Sequence, residues 1–318
     1  MAEISTDIAK AKALLENNQL IGFPTETVYG LAGNALNEEA VVEIFKVKNR
    51  PYFDPLIIHS HSLEKIRTWV EEIPPQALAL AEAFWPGPLT LLLEKKDIVP
   101  DLTTSGSPKV AVRIPNHALS LQLLASLDFP LAAPSANPFG YISPTTAQHV
   151  NDQLGDKIPF ILDGGPSQIG IESTIIGFEE DQTIVYRLGG KALEEIERVA
   201  GKVQLMPHSS SNPQAPGMLK SHYAPKAKLT LLNDWSEMPA INKQSLGVLG
   251  FDQYVPNIPK ENQRLLAPHG TLEEAARNLF SALRELDKLP ISGIVTCLLP
   301  AQGLGRAIND RLKRAAAE

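Results

Sequence analysis

Several polar residues sit where apolar packing alone would not place them. Thr25-Glu26-Thr27 follows the strand-like run Leu20-Ile21-Gly22-Phe23, which Pro24 stops because proline has no N–H to donate. Two hydroxyls and a carboxylate are thereby set at the carboxyl end of a strand, where α/β proteins place ligands. Lys46, Lys48 and Arg50 crowd a helix exit ahead of Pro51. They either complement the negative end of that helix or line a cationic pocket for phosphates. Arg113 ends the apolar run Lys109–Ile114. A buried guanidinium needs an anion, because burying the charge alone costs several kcal/mol. The partner is either a structural carboxylate or a bound one. Taken singly, His59 at a strand end reads as a structural histidine, and Ser135 and Ser173 read as turn residues. The turn Gly303-Leu304-Gly305 lacks the rest of a dinucleotide fingerprint and reads as a tight turn, with an anion site as the alternative. No P-loop motif is present.

Positioning these groups requires a mixed α/β framework. Residues 7–18 predict a helix capped by Asp7, with Ile8, Ala11 and Leu15 on one face. Asn37 caps a second helix, whose Ala40, Val41, Ile44, Phe45 and Lys48 share a face and which Pro51 ends. Ser62 caps a short third helix, and another covers 75–85 up to Trp85-Pro86-Gly87-Pro88. Leu89–Leu93 predicts a buried strand, and Thr103–Pro108 predicts a loop. Leu131–Asn137 is a strand entering a polar turn, and Ser143-Pro144-Thr145 opens a helix. Ile158–Leu162, Gly170–Ile176 and Thr183–Leu188 carry further strands, the last bringing up Arg187, before a helix over 191–200. Interleaved short strands and helices predict a twisted, mostly mixed sheet.

Residues 202–226, rich in Ser, Pro, Gly and His and without apolar period, read as a linker. It separates a first domain (1–201) from a smaller one (227–318) with strands at 228–232, 245–250, 263–266 and 291–298. The smaller domain's helices fall at 272–287, opened by the capping box Thr271-x-x-Glu274, and from about 304. This pattern is Rossmann-like. Because the linker holds Gly217, Met218, His222 and Tyr223, a hinge, an apolar cover and two hydrogen-bonding rings, it is expected to act as a lid.

The 318 residues carry 43% hydrophobic and 20% charged side chains, the make-up of an ordinary globular protein large enough for two domains. No apolar run is long enough to span a membrane, and the amino-terminal residues lack a secretory pattern, so a cytoplasmic location is expected. The single cysteine, Cys297, excludes an intrachain disulfide and a multi-cysteine metal site, and is expected in a buried strand. A formal net charge of −7 argues against nucleic-acid binding driven by overall charge.

The blocks Phe23–Leu31, Lys48-x-Arg50-Pro51 and Pro55–His59 together resemble the signature of the YrdC/Sua5 family. The resemblance continues through Val110–Pro115, Ala133–Asn137, Ser143–Thr145 and Glu172–Ile175. The linker signature Pro216-Gly217-Met218, followed by His222–Pro225, resembles the longer, two-domain Sua5 form. The resemblance implies a YrdC-like α/β fold and an enzyme that joins L-threonine, bicarbonate or CO2, and ATP into threonylcarbamoyl-AMP and pyrophosphate. That product would pass to tRNA threonylcarbamoyltransferase proteins, which make N6-threonylcarbamoyladenosine (t6A) at position 37 of tRNA. It implies Mg²⁺ with the ATP. Lys48 and Arg50, as the catalytic pair, would neutralise its phosphates from the rim of a pocket. It further implies that Ser135, Asn137, Ser143, Arg187 and Tyr223 hold the nucleotide. Thr27, His59, Arg113, Ala133 and Ser173 would hold threonine. Asp54 and Lys109 depart from the family pattern. Asp54 stands near the phosphates, where it would repel them unless Lys48 or Mg²⁺ lies between, and Lys109 would add a nucleotide contact. The alternative is a double-stranded-RNA-binding module of the same fold without catalysis, and weak RNA binding is compatible with either.

Overall fold

Short apolar runs punctuated by proline and glycine give short strands, and two sheets are built from them. In this computed structural model, residues 1–179, 182–206, 218, 221–238 and 245–317 are described. The larger sheet contains β1 (Glu3–Ser5), β2 (Ile21–Phe23), β3 (Gly30–Asn34), β4 (Ile57–His59), β5 (Leu89–Glu94), β6 (Lys109–Arg113), β7 (Leu131–Ala132), β8 (Phe160–Leu162), β9 (Thr174–Glu179), β10 (Gln182–Arg187) and β11 (Gln204–Leu205). Their order is β1-β8-β2-β3-β7-β4-β6-β5-β9-β10-β11, with parallel and antiparallel pairs mixed. The smaller sheet, β12 (Leu229–Leu232), β13 (Leu246–Gly250), β14 (Gln263–Leu265) and β15 (Gly293–Cys297), is parallel throughout in the order β12-β15-β13-β14.

The helices are α1 (Ile8–Glu16), α2 (Glu38–Lys48), α3 (Leu63–Ile66), α4 (Pro75–Phe84), α5 (Asp101–Thr104), α6 (Ala118–Ala125), α7 (Ala147–Leu154), α8 (Leu193–Ala200), α9 (Leu272–Asp287) and α10 (Gly305–Ala315). They cover both faces of the large sheet. In β8, Ile161 joins the core under α2, α4 and α7, while Phe160 and Leu162 join the core under α1 and α6, as the two-residue period of a strand requires. Over the middle strands a third cluster of Ile57, Ala111, Ile175 and Tyr186 is covered by Met218 of the linker. The core of the smaller domain does not stop at its own boundary. Val28, Ile142 and Ile171 of the first domain pack with Ala276, Leu279, Phe280 and Ile308 of α9 and α10.

The expected caps form: Asp7, Asn37, Ser62 and Thr271 each accept a backbone N–H of the first helical turn. Other expectations change. Helix α2 ends before Pro51, because Asn49 adopts the left-handed conformation (φ 53°) and closes the helix itself. Thr103 and Thr104, expected in a loop, close the short helix α5, where the Thr103 hydroxyl donates to Ala35 O and so tolerates burial. Ser143–Thr145 precede α7 instead of opening it, since Thr146 is its cap. Glu274 completes no capping box: its carboxylate accepts from His269 N and contacts His269 Nδ1. Residues 204–205, placed in the linker by composition, pair with β10 through backbone bonds that need no apolar pattern. Helix α6 had no counterpart in the sequence reading. The lid expectation falls largely on residues 207–217 and 219–220, which lie outside the described residues.

Gly170 sits at the domain junction with φ 81°, and a Cβ there would lie 2.5 Å from the backbone of Arg277 in α9. Gly165 has a similar φ of 76° but open space around it. Gly165→Ala is expected to cost about 1 kcal/mol, the left-handed penalty alone. Gly170→Ala adds an overpacking cost of about 1–3 kcal/mol. Thermal unfolding of the two variants should therefore rank Gly170→Ala clearly lower; equal midpoints would contradict the tight docking of α9.

Candidate active site

One wall of the site follows from the turn after β2. Thr25 Oγ1 accepts the N–H groups of Thr27 and Val28, each at 3.2 Å, and holds Thr27 Oγ1 at 2.8 Å. A threonine turn of this kind presents its hydroxyls in one fixed direction. Thr27 Oγ1 accepts from Arg113 Nη1 at 2.9 Å. The parallel register of β4 and β6 sets His59 beside Arg113. The anion that Arg113 requires is Glu26, 2.7 Å from Nη2, and Arg113 Nε also donates to Gly87 O. His59 is buried with Phe23 edge-on to its ring, and burial, then the Arg113 charge, pulls its pKa down to about 3.

A second part of the lining carries Arg50 and Arg187. Arg50 Nε and Nη2 donate to Asp54 O and Pro55 O, and Nη2 lies 2.9 Å from the Asp54 carboxylate. Arg187, at the end of β10, donates to Ser173 O at 3.0 Å and to Ser173 Oγ at 3.1 Å. Glu172 beside it accepts from Ser143 Oγ at 2.6 Å. Tyr223 roofs the space. It is fully buried at φ 67°, stacked on Phe280 of α9, with the guanidinium groups of Arg311 and Arg314 over its ring at 5.4 and 4.9 Å.

Among these residues lies a cavity of about 60 Å³. Thr27, Arg50, His59, Arg113, Ala133, Ser135, Ser173, Arg187 and Tyr223 all line it. The structure thus brings together residues spread from one end of the first domain to the linker. Five of the expected site residues are placed elsewhere. Lys48, expected at the pocket rim, is 1% exposed, and its Nζ donates to Ser135 O (2.5 Å) and Asn137 O (2.6 Å). Burial, seconded by Arg50, lowers its pKa well below the ordinary lysine value. It braces the loop that carries Ser135. Asp54 does not line the cavity; it pairs with Arg50, which does. Asn137 is buried with its side-chain N–H groups on Pro138 O and Tyr141 O. Ser143 stands behind Glu172. Lys109 lies at the far end of β6, donating to Phe178 O and 3.9 Å from Glu94.

Sequence reasoning missed Glu172, quoted only within a motif, and Arg311, which carries no motif at all. In the Gly303–Gly305 turn the Gly303 N–H is taken by an internal anion, donating to the Glu194 carboxylate at 3.3 Å. Cys297 is only half-buried in β15, and burial raises its thiol pKa.

Three histidines are held neutral in the fold: His59, His222, whose pKa burial lowers well below the ordinary value, and His149, lowered to about 4. Below about pH 6.5 the unfolded chain binds protons that these folded rings refuse, so stability falls as pH drops through that value toward the folded pKa values. The thermal midpoint should accordingly decline from about pH 6.5 downward, and the His59 ring protons should show no titration above about pH 5 by NMR. An ordinary titration of His59 near pH 6.5 would contradict its burial.

Two family models cover nearly the whole chain. The Sua5_yciO_yrdC model, described as telomere recombination, matches residues 13–189, and the model described as threonylcarbamoyl-AMP synthase, C-terminal domain, matches residues 192–317. The chain is similar to threonylcarbamoyl-AMP synthase of Pyrococcus abyssi, at 41% identity over 96% of this chain and 92% of that one. It is similar to the Bacillus subtilis protein of the same name, at 38% identity over 99% of this chain and 95% of that one. Its structure is similar to that of P. abyssi Sua5 complexed with L-threonine, with a TM-score of 0.90 at 39% identity, covering 99% of this chain and 97% of the other. Escherichia coli YciO shares the fold of the first domain, with a TM-score of 0.54 at 21% identity over 59% of this chain and 96% of that one. With both of its domains matched and relatives alike over nearly their full length, this chain belongs to the Sua5/YciO/YrdC family.

Proposed function

We propose that this chain is a threonylcarbamoyl-AMP synthase, a nucleotidyltransferase that converts L-threonine, bicarbonate or CO2, and ATP into threonylcarbamoyl-AMP and pyrophosphate. The observation that carries this reading is the cavity itself, lined together by hydroxyl, guanidinium and imidazole groups, in a chain whose structure follows that of Sua5 complexed with L-threonine. Thr27, Arg113, His59, Ala133 and Ser173 would receive threonine. Arg113 offers its fork to the carboxylate while Glu26 holds it from behind. Arg50 and Arg187 would meet the phosphates, and Lys48 would shape the Ser135–Asn137 loop against the nucleotide. An RNA-binding module would have no use for buried arginines around so small a cavity.

The chemistry asks little of any one side chain. The threonine amine adds to CO2 and loses a proton. A carbamate oxygen then attacks the α-phosphorus as the bond to pyrophosphate breaks. The nucleophile is already anionic, so placement and neutralisation of charge supply most of the rate. His59 is neutral at working pH and serves as a hydrogen-bonding wall. Among the described residues no cluster of three acidic, histidine or cysteine side chains could hold a metal. Mg²⁺ would enter as part of the ATP substrate and would supply charge neutralisation for the departing pyrophosphate. Tyr223 and His222 line the cavity, so the His222–Tyr223 segment would help exclude water from a hydrolysable product. The product would pass to transferase proteins that modify tRNA in the cytoplasm.

Mass detection of threonylcarbamoyl-AMP from protein, ATP, Mg²⁺, bicarbonate and threonine tests the reading; no product would end it. Arg50→Ala should lower turnover by about 10²–10³, the scale of one preorganised charge contact. Arg113→Ala would leave Glu26 buried alone at a cost of about 3–5 kcal/mol, so Arg113→Lys is the cleaner probe. It keeps the charge and loses the fork. Its threonine KM should rise about tenfold while its ATP KM holds. The reverse pattern would mean that the two subsites are exchanged.

A further inference from the structure

The strongest unexplained group in the molecule is Arg311. It belongs to α10 of the smaller domain, yet it is 0% exposed and reaches out of that domain. Its Nε and Nη2 both donate to Glu172 Oε2 at 3.2 Å, and Nη1 donates to Leu188 O. Asp310 lies 3.1 Å from the same guanidinium. The other carboxylate oxygen of Glu172 accepts from Ser143 Oγ. Glu172 lines the cavity, while Ser143 and Arg311 lie behind it. A second arginine of the smaller domain, Arg284 in α9, donates to Ile142 O, Ser143 O and Gln153 Oε1. The backbone and the hydroxyl of Ser143 are thus both tied, directly or through Glu172, to the smaller domain.

A carboxylate in the wall of a nucleotide cavity is a liability. Left without a cation it repels polyphosphate, or it takes up a proton and loses its grip on the serine hydroxyl. From this geometry we infer that Arg311 is a positioning residue for the nucleotide: it neutralises Glu172, fixes that carboxylate as an acceptor for Ser143, and supports the Tyr223 roof from above. The smaller domain thereby supplies part of the ATP subsite without lining it. This inference rests on reading the cavity as an ATP and threonine site.

The test is steady-state kinetics with ATP and threonine varied separately, on the full chain. Arg311→Met keeps much of the side-chain length and removes the charge. Its ATP KM should rise about 10- to 100-fold, the scale of truncating one partner of a buried charge pair, while its threonine KM changes by less than about threefold. Adding Glu172→Gln should restore most of the ATP affinity, because an amide oxygen still accepts from Ser143 and needs no counter-cation. A role in packing alone would leave the double variant as impaired as the single one. Thermal unfolding of all variants controls for stability. If Arg311→Met fails to fold, the double variant, freed of the unpaired carboxylate, carries the comparison, and an ATP KM near wild type supports the inference. An Arg311→Met enzyme with an unchanged ATP KM, or a double variant with no recovery, overturns it. A wild-type chain that neither binds ATP nor forms product overturns instead the reading of the cavity on which it rests.

Discussion

The guanidinium groups of Arg50, Arg113, Arg187 and Arg311 are buried around one small cavity, and the requirement that each be matched organises the structure. Arg50 is met by Asp54 and two carbonyls, Arg113 by Glu26, Thr27 and Gly87, Arg187 by Ser173, and Arg311 by Glu172. Unmatched, any one would cost several kcal/mol and would repel the others. Matched, they hold the side chains and turns around the cavity in a defined arrangement. That arrangement suits a reaction in which anions must be brought together and leave as anions.

The matching draws the chain together over long separations. Glu26 and Arg113 join the turn after β2 to the end of β6, and Glu172 and Arg311 join the first domain to α10. The apolar contacts run along the same lines. Val28, Ile142 and Ile171, next to the site turns, pack into the core of the smaller domain. Domains that met only through a polar interface would be expected to move independently. Here the segments that carry the site are shared property, and displacing α9 or α10 would disturb the turns holding Thr27, Ser143 and Glu172.

Lys48 illustrates how burial revises a role. A lysine on the apolar face of α2 must either snorkel outward or find acceptors inside. It finds the carbonyls of Ser135 and Asn137, and its charge is spent on fixing a loop. Asp54 is similar: it does not line the cavity but pairs with Arg50, which does. Both residues act on the cavity from behind.

Local patterns in the sequence determined most of the elements. Period, caps and breakers are written within a few residues of one another, so α1, α2, α3 and α9 and the strands around Phe23, Leu91 and Val112 could be read directly. The motif blocks, through the resemblance they carry, likewise pointed to nine of the residues that line the cavity, among them Thr27 and Tyr223. What the sequence could not determine was pairing across distance. Whether Arg113 meets Glu26 or a ligand, whether Lys48 faces the cavity or the loop behind it, and whether β11 joins a sheet all depend on backbone bonds and ion pairs between segments far apart in the chain. Arg311 is the clearest case. In α10 it is one cation among several polar neighbours, and only the docking of two domains buries it against Glu172, where desolvation turns an ordinary surface charge into a structural one.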